Sequence, residues 1–357
     1  MRIVNAFPAA IQNRRSGSDD AETRCAIVVG QAEIGPKLFS REGELQQSEE
    51  IRFKMTGYLH PLYAESLSEF GIPIELPQCG GWLLERRIPN SDLKDAMGCY
   101  PIFCCADWTR LLADIQNIRD KYVTISLVAD PFAPVTTVDL SRCFQLVQVF
   151  KKHFIVDVGD STDRHINRHH QYYARRALKQ IQVRLVDDPK ACLDDWVRLY
   201  KILVEHRHLR GIKAFSKSSF AIQFEVPGLV VFQASRNGRT IGMHLWYVQS
   251  GVAYSHLSAV DEEGYALSAA YGLYWSAITE FKQHRATEIR WIDLGAGAGM
   301  EETAQDGLSR FKRGWATAEK VKYFCGSIFD LQSYESLTAT NMSDSDYFPL
   351  YRAGELS

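Results

Sequence analysis

Cysteine is scarce in this sequence: eight residues among 357, at positions 25, 79, 99, 104, 105, 143, 192 and 325, with no C-x-x-C pair. Adjacent Cys104 and Cys105 cannot easily bridge each other, so reduced, buried thiols are expected rather than a secreted disulfide framework. No stretch approaches the roughly 18 uninterrupted apolar residues of a spanning helix. The apolar start of MRIVNAFPAAIQNRRSGSDD is too short and too broken to read as a signal peptide, and a cytoplasmic protein is expected. An excess of one charge is missing too. Forty-one basic residues face 43 acidic ones, a formal charge of −2. This excludes a wholesale nucleic-acid coat, and no DNA partner is expected, while a local basic patch stays open. No period of 20–50 residues repeats, which excludes a solenoid. No G-x-S-x-G elbow, G-x-x-x-x-G-K-[ST] loop or H-E-x-x-H helix occurs. What is present is an ordinary globular composition, 46% hydrophobic and 24% charged. It has room for two domains or one large one.

Residues 1–45 read as a poorly ordered extension around one apolar run, Cys25–Gly30. From 46 to 158 the pattern is mixed α/β. Trp82–Ile88 reads as a strand, Asp107 caps a helix from Trp108 to about Arg119, and Tyr122–Val128 is a strand stopped by Asp130-Pro131. A second α/β unit spans 159–330. Ser161 is expected to cap a helix from Thr162 to about Gln180, followed by a helix over Asp195–His206 and a short one capped by Ser216 or Ser218. Three strands follow, Leu229–Ala234, Thr240–Val248 and Val252–Ser258, turned at Asn237-Gly238 and around Ser250-Gly251. A long helix over Tyr265–His284, a strand over Glu288–Leu294, a helical stretch over Leu308–Trp315 and a closing strand over Lys320–Phe324 complete the unit. Residues 331–357 read as an irregular tail. Consecutive hairpins followed by a β-α-β segment predict a mixed sheet.

Four signals carry possible chemistry. Trp291-Ile-Asp293-Leu-Gly295-Ala-Gly297-Ala-Gly299 places an acid and spaced glycines after a strand. It looks like the first motif of an S-adenosylmethionine methyltransferase, but too little chain follows for a doubly wound sheet, and a glycine-rich connection beside a cleft is the preferred reading. Arg164 to Lys179 carries Arg164, Arg168, Arg175, Arg176 and Lys179 with no acid until Asp187, so one helix face packs and the rest is cationic. Its two readings are a solvated basic face and a site for a phosphorylated ligand. His165 and His169 sit among arginines that repel a cation, so no metal is expected. Leu308–Trp315 combines Arg310, Lys312 and Arg313 with Phe311 and Trp315. The hairpin from His244 to His256 contains Tyr247 and Tyr254. A two-residue turn sets Tyr247 opposite Tyr254 on the face of His256, whereas a three-residue turn sets His244 opposite His256, and the sequence leaves the register open.

Residues 160–325 resemble the C-terminal lobe of the Fem-type peptidoglycan aminoacyltransferases and their tandem-GNAT relatives, among them proteins of exopolysaccharide synthesis. The matching pieces are Tyr173–Lys179, the hairpin Ile241–Leu257, the helix after Tyr265, Trp291–Gly295, and Gly307-Leu-Ser-Arg-Phe-Lys312-Arg-Gly314. Gly80-Gly81-Trp82 and Gly98-Cys-Tyr100-Pro101 match the first lobe more loosely. The resemblance implies an α/β (α+β) fold of two tandem GNAT-like lobes, each a mixed, mostly antiparallel sheet flanked by helices. It departs at Ala296, where the family has a second glycine. It departs again at Ala259–Gly264, where three acids replace the usual pyrophosphate loop.

The activity implied is N-acyl transfer to an amine of a cell-envelope or polysaccharide precursor, with no permanently bound cofactor. The donor is aminoacyl-tRNA or an acyl thioester such as acyl-CoA. A primary amine is protonated at neutral pH, so a group must take its proton. Asp293, or His256 or Tyr254 through water, is expected to serve, and Lys312 to stabilise the oxyanion or bind donor phosphate. Arg168, Arg175, Arg176, Lys179, Tyr247, Arg310 and Arg313 are expected to hold substrate. The partners are a phosphorylated sugar or lipid-linked envelope precursor and charged tRNA, with peripheral membrane contact. The rival readings are a non-catalytic GNAT-fold binding protein for such a precursor and the methyltransferase.

Overall fold

The computed structural model describes residues 55–159, 166–297, 307–339 and 347–355. The strand expected over Cys25–Gly30, the cap at Ser161, Arg164, His165 and Gly299 lie outside the described residues. The described chain forms one 11-stranded mixed sheet flanked by helices, in the order β1-β2-β3-β4-β11-β5-β10-β9-β8-β7-β6.

The first half supplies a helix α1 (Pro61–Glu65), strands β1 (Ile72–Leu76), β2 (Gly81–Arg87) and β3 (Lys94–Gly98), helix α2 (Leu111–Ile118), β4 (Thr124–Val128), helix α3 (Thr137–Cys143) and the long β5 (Leu146–Asp157). The second half supplies α4 (Arg168–Leu178), β6 (Gln182–Leu185), α5 (Leu193–Arg207), α6 (Lys217–Gln223), β7 (Leu229–Arg236), β8 (Arg239–Gln249), β9 (Val252–Val260), α7 (Glu262–Ala266), α8 (Ala269–Gln283), β10 (Trp291–Asp293), α9 (Gly307–Arg313), β11 (Ala318–Ile328) and α10 (Leu331–Thr338).

Turn chemistry sets much of this order. Asn237 and Gly238 both have positive φ, as do Ser250 and Gly251, the backbone that two-residue hairpin turns require. The second turn settles the register left open above: Tyr247 lies opposite Tyr254 and His244 opposite Ser258, with a bulge after Leu245. Asn167, not Ser161, caps α4 through the His169 N–H. The single helix expected over Tyr265–His284 is broken in two. Asp261 caps α7 through the Gly264 N–H, and Ser268 turns left-handed at φ 60° before α8 starts.

The strand expected over Lys320–Phe324 is neither short nor peripheral. As β11 it runs antiparallel to both β4 and β5, so it stitches the two halves into one sheet. The expected irregular tail is also ordered where described. Its end is clamped by Arg352, whose Nη2 donates to Asp95 Oδ1 at 3.0 Å while Arg86 Nη1 donates to Glu355 at 2.6 Å. Asp95 is only 1% exposed, so this pairing replaces the water its charge would otherwise need.

Apolar clusters fill both faces of the second half of the sheet and a third lies in the first half. On β8, Met243, Leu245 and Tyr247 face the cluster under α5 and α6. Trp246 faces the opposite cluster, under α4 and α8. The alternation follows the two-residue period of a strand buried on both sides. β10 is a three-residue strand antiparallel to β5. The glycines after Asp293 therefore do not follow the first strand of a doubly wound parallel sheet, and the methyltransferase reading loses its structural context.

Candidate active site

β9 and β10 run parallel but pair only through Val252–Tyr254 and Trp291–Asp293. Beyond Asp293 the chain follows β5, with the Leu294 N–H on the Phe154 carbonyl at 2.9 Å and the Phe154 N–H on the Gly295 carbonyl at 3.1 Å. β9 continues to Val260, paired with β8 on its other side. The two strands therefore splay. From Ser255 onward no strand among the described residues pairs the β10-facing edge of β9, leaving its backbone N–H and C=O groups to face the gap.

Polar side chains converge where the splay begins. Asp293 is 2% exposed, and both its carboxylate oxygens contact His153 Nδ1, at 2.9 and 2.7 Å. Its Oδ1 also accepts the Gly295 N–H at 2.7 Å. Burial alone would raise this carboxyl, but the charge and hydrogen bond of His153, the Gly295 N–H and nearby Lys322 outweigh it and hold Asp293 below the usual range. Burial lowers His153, against the pull of Asp293.

A second acid lies close by. Asp130, just past β4, accepts the Tyr254 hydroxyl at 2.9–3.0 Å and the Phe132 N–H at 2.9 Å. Burial chiefly, with the Asp293 charge adding, pushes it up to about 6. Asp130 is thus mostly ionised at neutral pH yet readily protonated, while Asp293 is a weak base. Burial, then Asp130, raises the Tyr254 phenol well above its ordinary value, so Tyr254 remains a hydrogen-bond donor.

Lysines surround the two acids. On the facing strands β5 and β11, Lys320 lies opposite His153 and Lys322 opposite Lys151. Strand alternation puts all four on the sheet face that Asp293 and Tyr254 share. Lys322 is 6% exposed, and burial with Lys151 and Lys312 pushes it down to about 8 against the pull of Asp293 and Asp130. Lys312 reaches in from α9, and its Nζ donates to the Ala296 carbonyl at 2.7 Å. A Cβ at Gly295, itself at φ 77°, would come within 2.9 Å of that ammonium, so glycine makes room for the lysine there.

Of the residues singled out from the sequence, Asp293, Tyr254 and Lys312 thus share one neighbourhood. His256 sits beside it but is fully engaged. Its Nε2 meets Gln223 Oε1 at 3.0 Å and must donate, because that oxygen only accepts. Its Nδ1 then accepts from the Tyr58 hydroxyl at 3.0 Å. Burial pushes it down to about 3, and both nitrogens are occupied, so His256 is not poised to take a proton. Tyr247 is wholly buried, and its hydroxyl donates to the Gln223 carbonyl at 3.0 Å, which makes it core.

The basic helix turns outward. His170, Ala174 and Ala177 bury one face of α4, and Arg168, Tyr172, Arg175 and Lys179 lie on the opposite one with Arg176 at its side. All five are exposed. The stripe is about 16 Å long at 1.5 Å per residue. It does not line the gap between β9 and β10. Arg310 and Arg313 are also exposed. Arg313 lies over the Phe154 ring at 5.2 Å, and the Asn167 N–H on the Gly314 carbonyl at 2.9 Å ties the end of α9 to the start of α4.

At the turn after β9, where the resemblance implies a donor pyrophosphate, Asp261 already accepts the Gly264 N–H at 2.9 Å and pairs with Arg239. These residues do not fit a pyrophosphate. A cavity of about 580 Å³ lies at the turn end of the β8–β9 hairpin, lined by Thr56, Asp187, Gln249, Arg285 and Glu288, and none of the candidate catalytic or substrate-binding residues lines it. Asp130, His153 and Lys322 were missed by sequence reasoning. For His153 and Lys322 the one signal is polar residues at alternate positions, 151 and 153, 320 and 322; Asp130 shows only as the stop after its strand.

Residues 161–313 match the model of the acetyltransferase (GNAT) domain. No curated protein matches the sequence. Among solved structures the chain is similar to FemX, at 13% identity and a TM-score of 0.58, over 82% of this chain and 97% of that one. It is similar to the C-terminal domain (DUF2156) of an assigned lysylphosphatidylglycerol synthetase from Agrobacterium fabrum, at 11% identity and 0.57, over 84% and 96%. It is also similar to L-PGS from Bacillus licheniformis, at 10% identity and 0.52, over 81% and 98%. At these identities the likeness establishes a shared fold across both halves, and the domain match supports acyl transfer in general.

Proposed function

We propose that this protein is an N-acyltransferase whose acceptor amine is activated at Asp130 and attacks the donor in the gap between β9 and β10. The observation that carries the proposal is the pairing of Asp130, pushed up to about 6 and held by Tyr254, with a splayed strand pair whose open edge offers backbone N–H groups. The acceptor ammonium gives a proton to Asp130, and the free amine attacks the acyl carbonyl. The C–N bond forms, the bond from the acyl carbon to the donor's oxygen or sulfur breaks, and the leaving group takes up a proton. Lys312 and the β9 edge stabilise the oxyanion on the way, with an effect of the size known for such donors, about 10²–10³ in rate.

Asp293 acts indirectly in this reading: it orients His153 and keeps positive charge on the lysines. We assign the donor to aminoacyl-tRNA or an acyl thioester and the acceptor to a phosphorylated envelope or polysaccharide precursor. Two similar structures, the FemX and lysylphosphatidylglycerol synthetase chains, support that direction by name. The α4 stripe would hold outlying phosphates of so large a substrate. The test incubates the protein with acetyl-CoA or charged tRNA and an envelope extract and follows the acceptor by mass spectrometry. A donor-dependent mass gain that Asp130→Asn abolishes supports the reading; tight binding of extract components with no mass gain refutes it.

A further inference from the structure

A buried thiol lies beside the proposed base. The chain at Phe103 runs along the end of β4: the Phe103 N–H donates to the Val128 carbonyl at 2.7 Å, and the Asp130 N–H donates back to the Phe103 carbonyl at 3.1 Å. Extended chain sends neighbouring side chains to opposite sides, so Cys104 joins the apolar cluster that holds Tyr254, and Cys105 joins the one in the first half. Cys104 Sγ thereby comes to 3.7 Å from Asp130 Oδ2. The thiol is 5% exposed, and burial, with the Asp130 charge adding, raises it well above its ordinary value. It is therefore an S–H donor at neutral pH rather than a thiolate nucleophile.

The direction of that S–H follows from Gln249, at the end of β8. Its Oε1 accepts the Tyr58 N–H at 2.6 Å. A backbone N–H can only donate, so this contact fixes which end of the amide is oxygen. The other end, Nε2, donates to Cys104 Sγ at 3.2 Å. The sulfur accepts on that side and directs its own proton to Asp130. The local backbone makes room for the arrangement. Gly57 sits at φ 58°, and a Cβ there would come within 2.7 Å of Gln249 Oε1.

We infer that Cys104 and Gln249 are positioning residues for Asp130: the amide aims the thiol, and the thiol donates to the carboxylate and tunes its affinity for a proton. The inference rests on the acyl-transfer reading for the role of Asp130 as base. It adds residues that act through Asp130, and a reason for cysteine at position 104. The Phe132 N–H and the Tyr254 hydroxyl already donate to Asp130. A third strong donor would pull the carboxyl back toward its ordinary range and make a poorer base. An apolar side chain would lift it toward neutrality and leave less of it ionised. The weak S–H donor falls between.

The test needs no acyl donor or acceptor. Carbon-13 NMR of the Asp130 carboxyl in the full chain, assigned with Asp130→Asn, reads its titration midpoint directly. Asp130 titrates in the field of Tyr254, Asp293, Lys320 and Lys322 as well as Cys104, and those neighbours are common to every variant compared. Cys104→Val, close in size and without a donor, should raise the midpoint by about half a pH unit, roughly three-fold in proton affinity, the scale of one weak hydrogen bond. Cys104→Ala serves the same comparison if Cys104→Val does not fold. Cys104→Ser keeps a donor and should lie below Cys104→Val. Gln249→Met should also raise the midpoint, but not in the Cys104→Val background, because the amide acts through the thiol. No rise in Cys104→Val, an equal rise in Cys104→Ser, or additive effects at the two positions would each overturn the inference. A merely structural role would lower stability in urea and leave the midpoint in place. Across the same variants the acidic limb of single-turnover acyl transfer should move with the midpoint. A shifted midpoint without acyl transfer refutes only the proposed function, and Asp130-dependent transfer with unmoved midpoints refutes only the positioning.

Discussion

Acidification should expose the histidine beside the candidate site through stability alone. His256 is held neutral, with Nε2 donating to Gln223 and Nδ1 accepting from Tyr58, and burial pushes it down to about 3. In the unfolded chain the same ring titrates near 6.5. The folded state therefore binds fewer protons than the unfolded state between those values, and stability falls as pH drops from about 6.5 toward 3, then levels off. At 1.36 kcal/mol per pH unit, lowering pH from 7 to 5 costs about 2 kcal/mol through this one residue. Other groups contribute as well. His153, His170 and His244 are also lowered by burial and act in the same direction, while Asp130, raised to about 6, gains its proton in the folded state and opposes them. The variant His256→Gln isolates the term, because glutamine retains a donor and an acceptor but does not titrate. Urea unfolding of both proteins at pH 7 and pH 5 is the assay. The wild type should lose about 2 kcal/mol more than the variant over that interval. Equal losses would mean that His256 protonates freely in the folded protein, and the derivation of its tautomer and partners would be wrong.

Three further outcomes follow from the same structure. Arg352→Ala strips buried Asp95 of its hydrogen-bonded partner and leaves it only Arg86 Nε at 3.4 Å; it should cost about 3 kcal/mol, read by chemical denaturation, and a loss under about 1 kcal/mol would show that Arg86 alone satisfies the charge. Asp293→Asn should destabilise the fold by about 2 kcal/mol, the scale of a hydrogen bond to a charged group. It should also push Lys322 further below about 8, which an NMR titration of the lysine reads directly. Arg175→Ala with Lys179→Ala should raise KM for a phosphorylated substrate and flatten its salt dependence with kcat unchanged; a fall in kcat instead would place the stripe in the chemistry.

Much of the second half is legible in the sequence because its signals are local. The β-branched runs of β7 to β9 and the turns at Asn237-Gly238 and Ser250-Gly251 specify three strands without reference to anything distant. Asp293 and Lys312 stand out as an acid after a strand and a cation on an aromatic-anchored turn, and the fold brings both to one place. The rest depends on long-range pairing. β11 enters between β4 and β5, so Lys322 meets Lys151 across 171 residues of chain, and no pattern within either strand announces the partner. His153 in Lys151-Lys152-His153 reads as surface charge until Asp293 is laid against it, and Asp130 reads as a strand stop until Tyr254 reaches it. The basic face of α4 is legible as a stripe from helical spacing alone, and the packing of His170, Ala174 and Ala177 shows which way it points, toward solvent.

The central claim, that Asp130 takes the acceptor proton, is tested most directly by the pH dependence of single-turnover acyl transfer in the wild type and in Asp130→Asn. The wild-type rate should climb with pH through about 6 as Asp130 ionises, and the variant should lose that limb and about 10²-fold or more in rate. A variant that transfers at the wild-type rate with the same acidic limb would contradict the account.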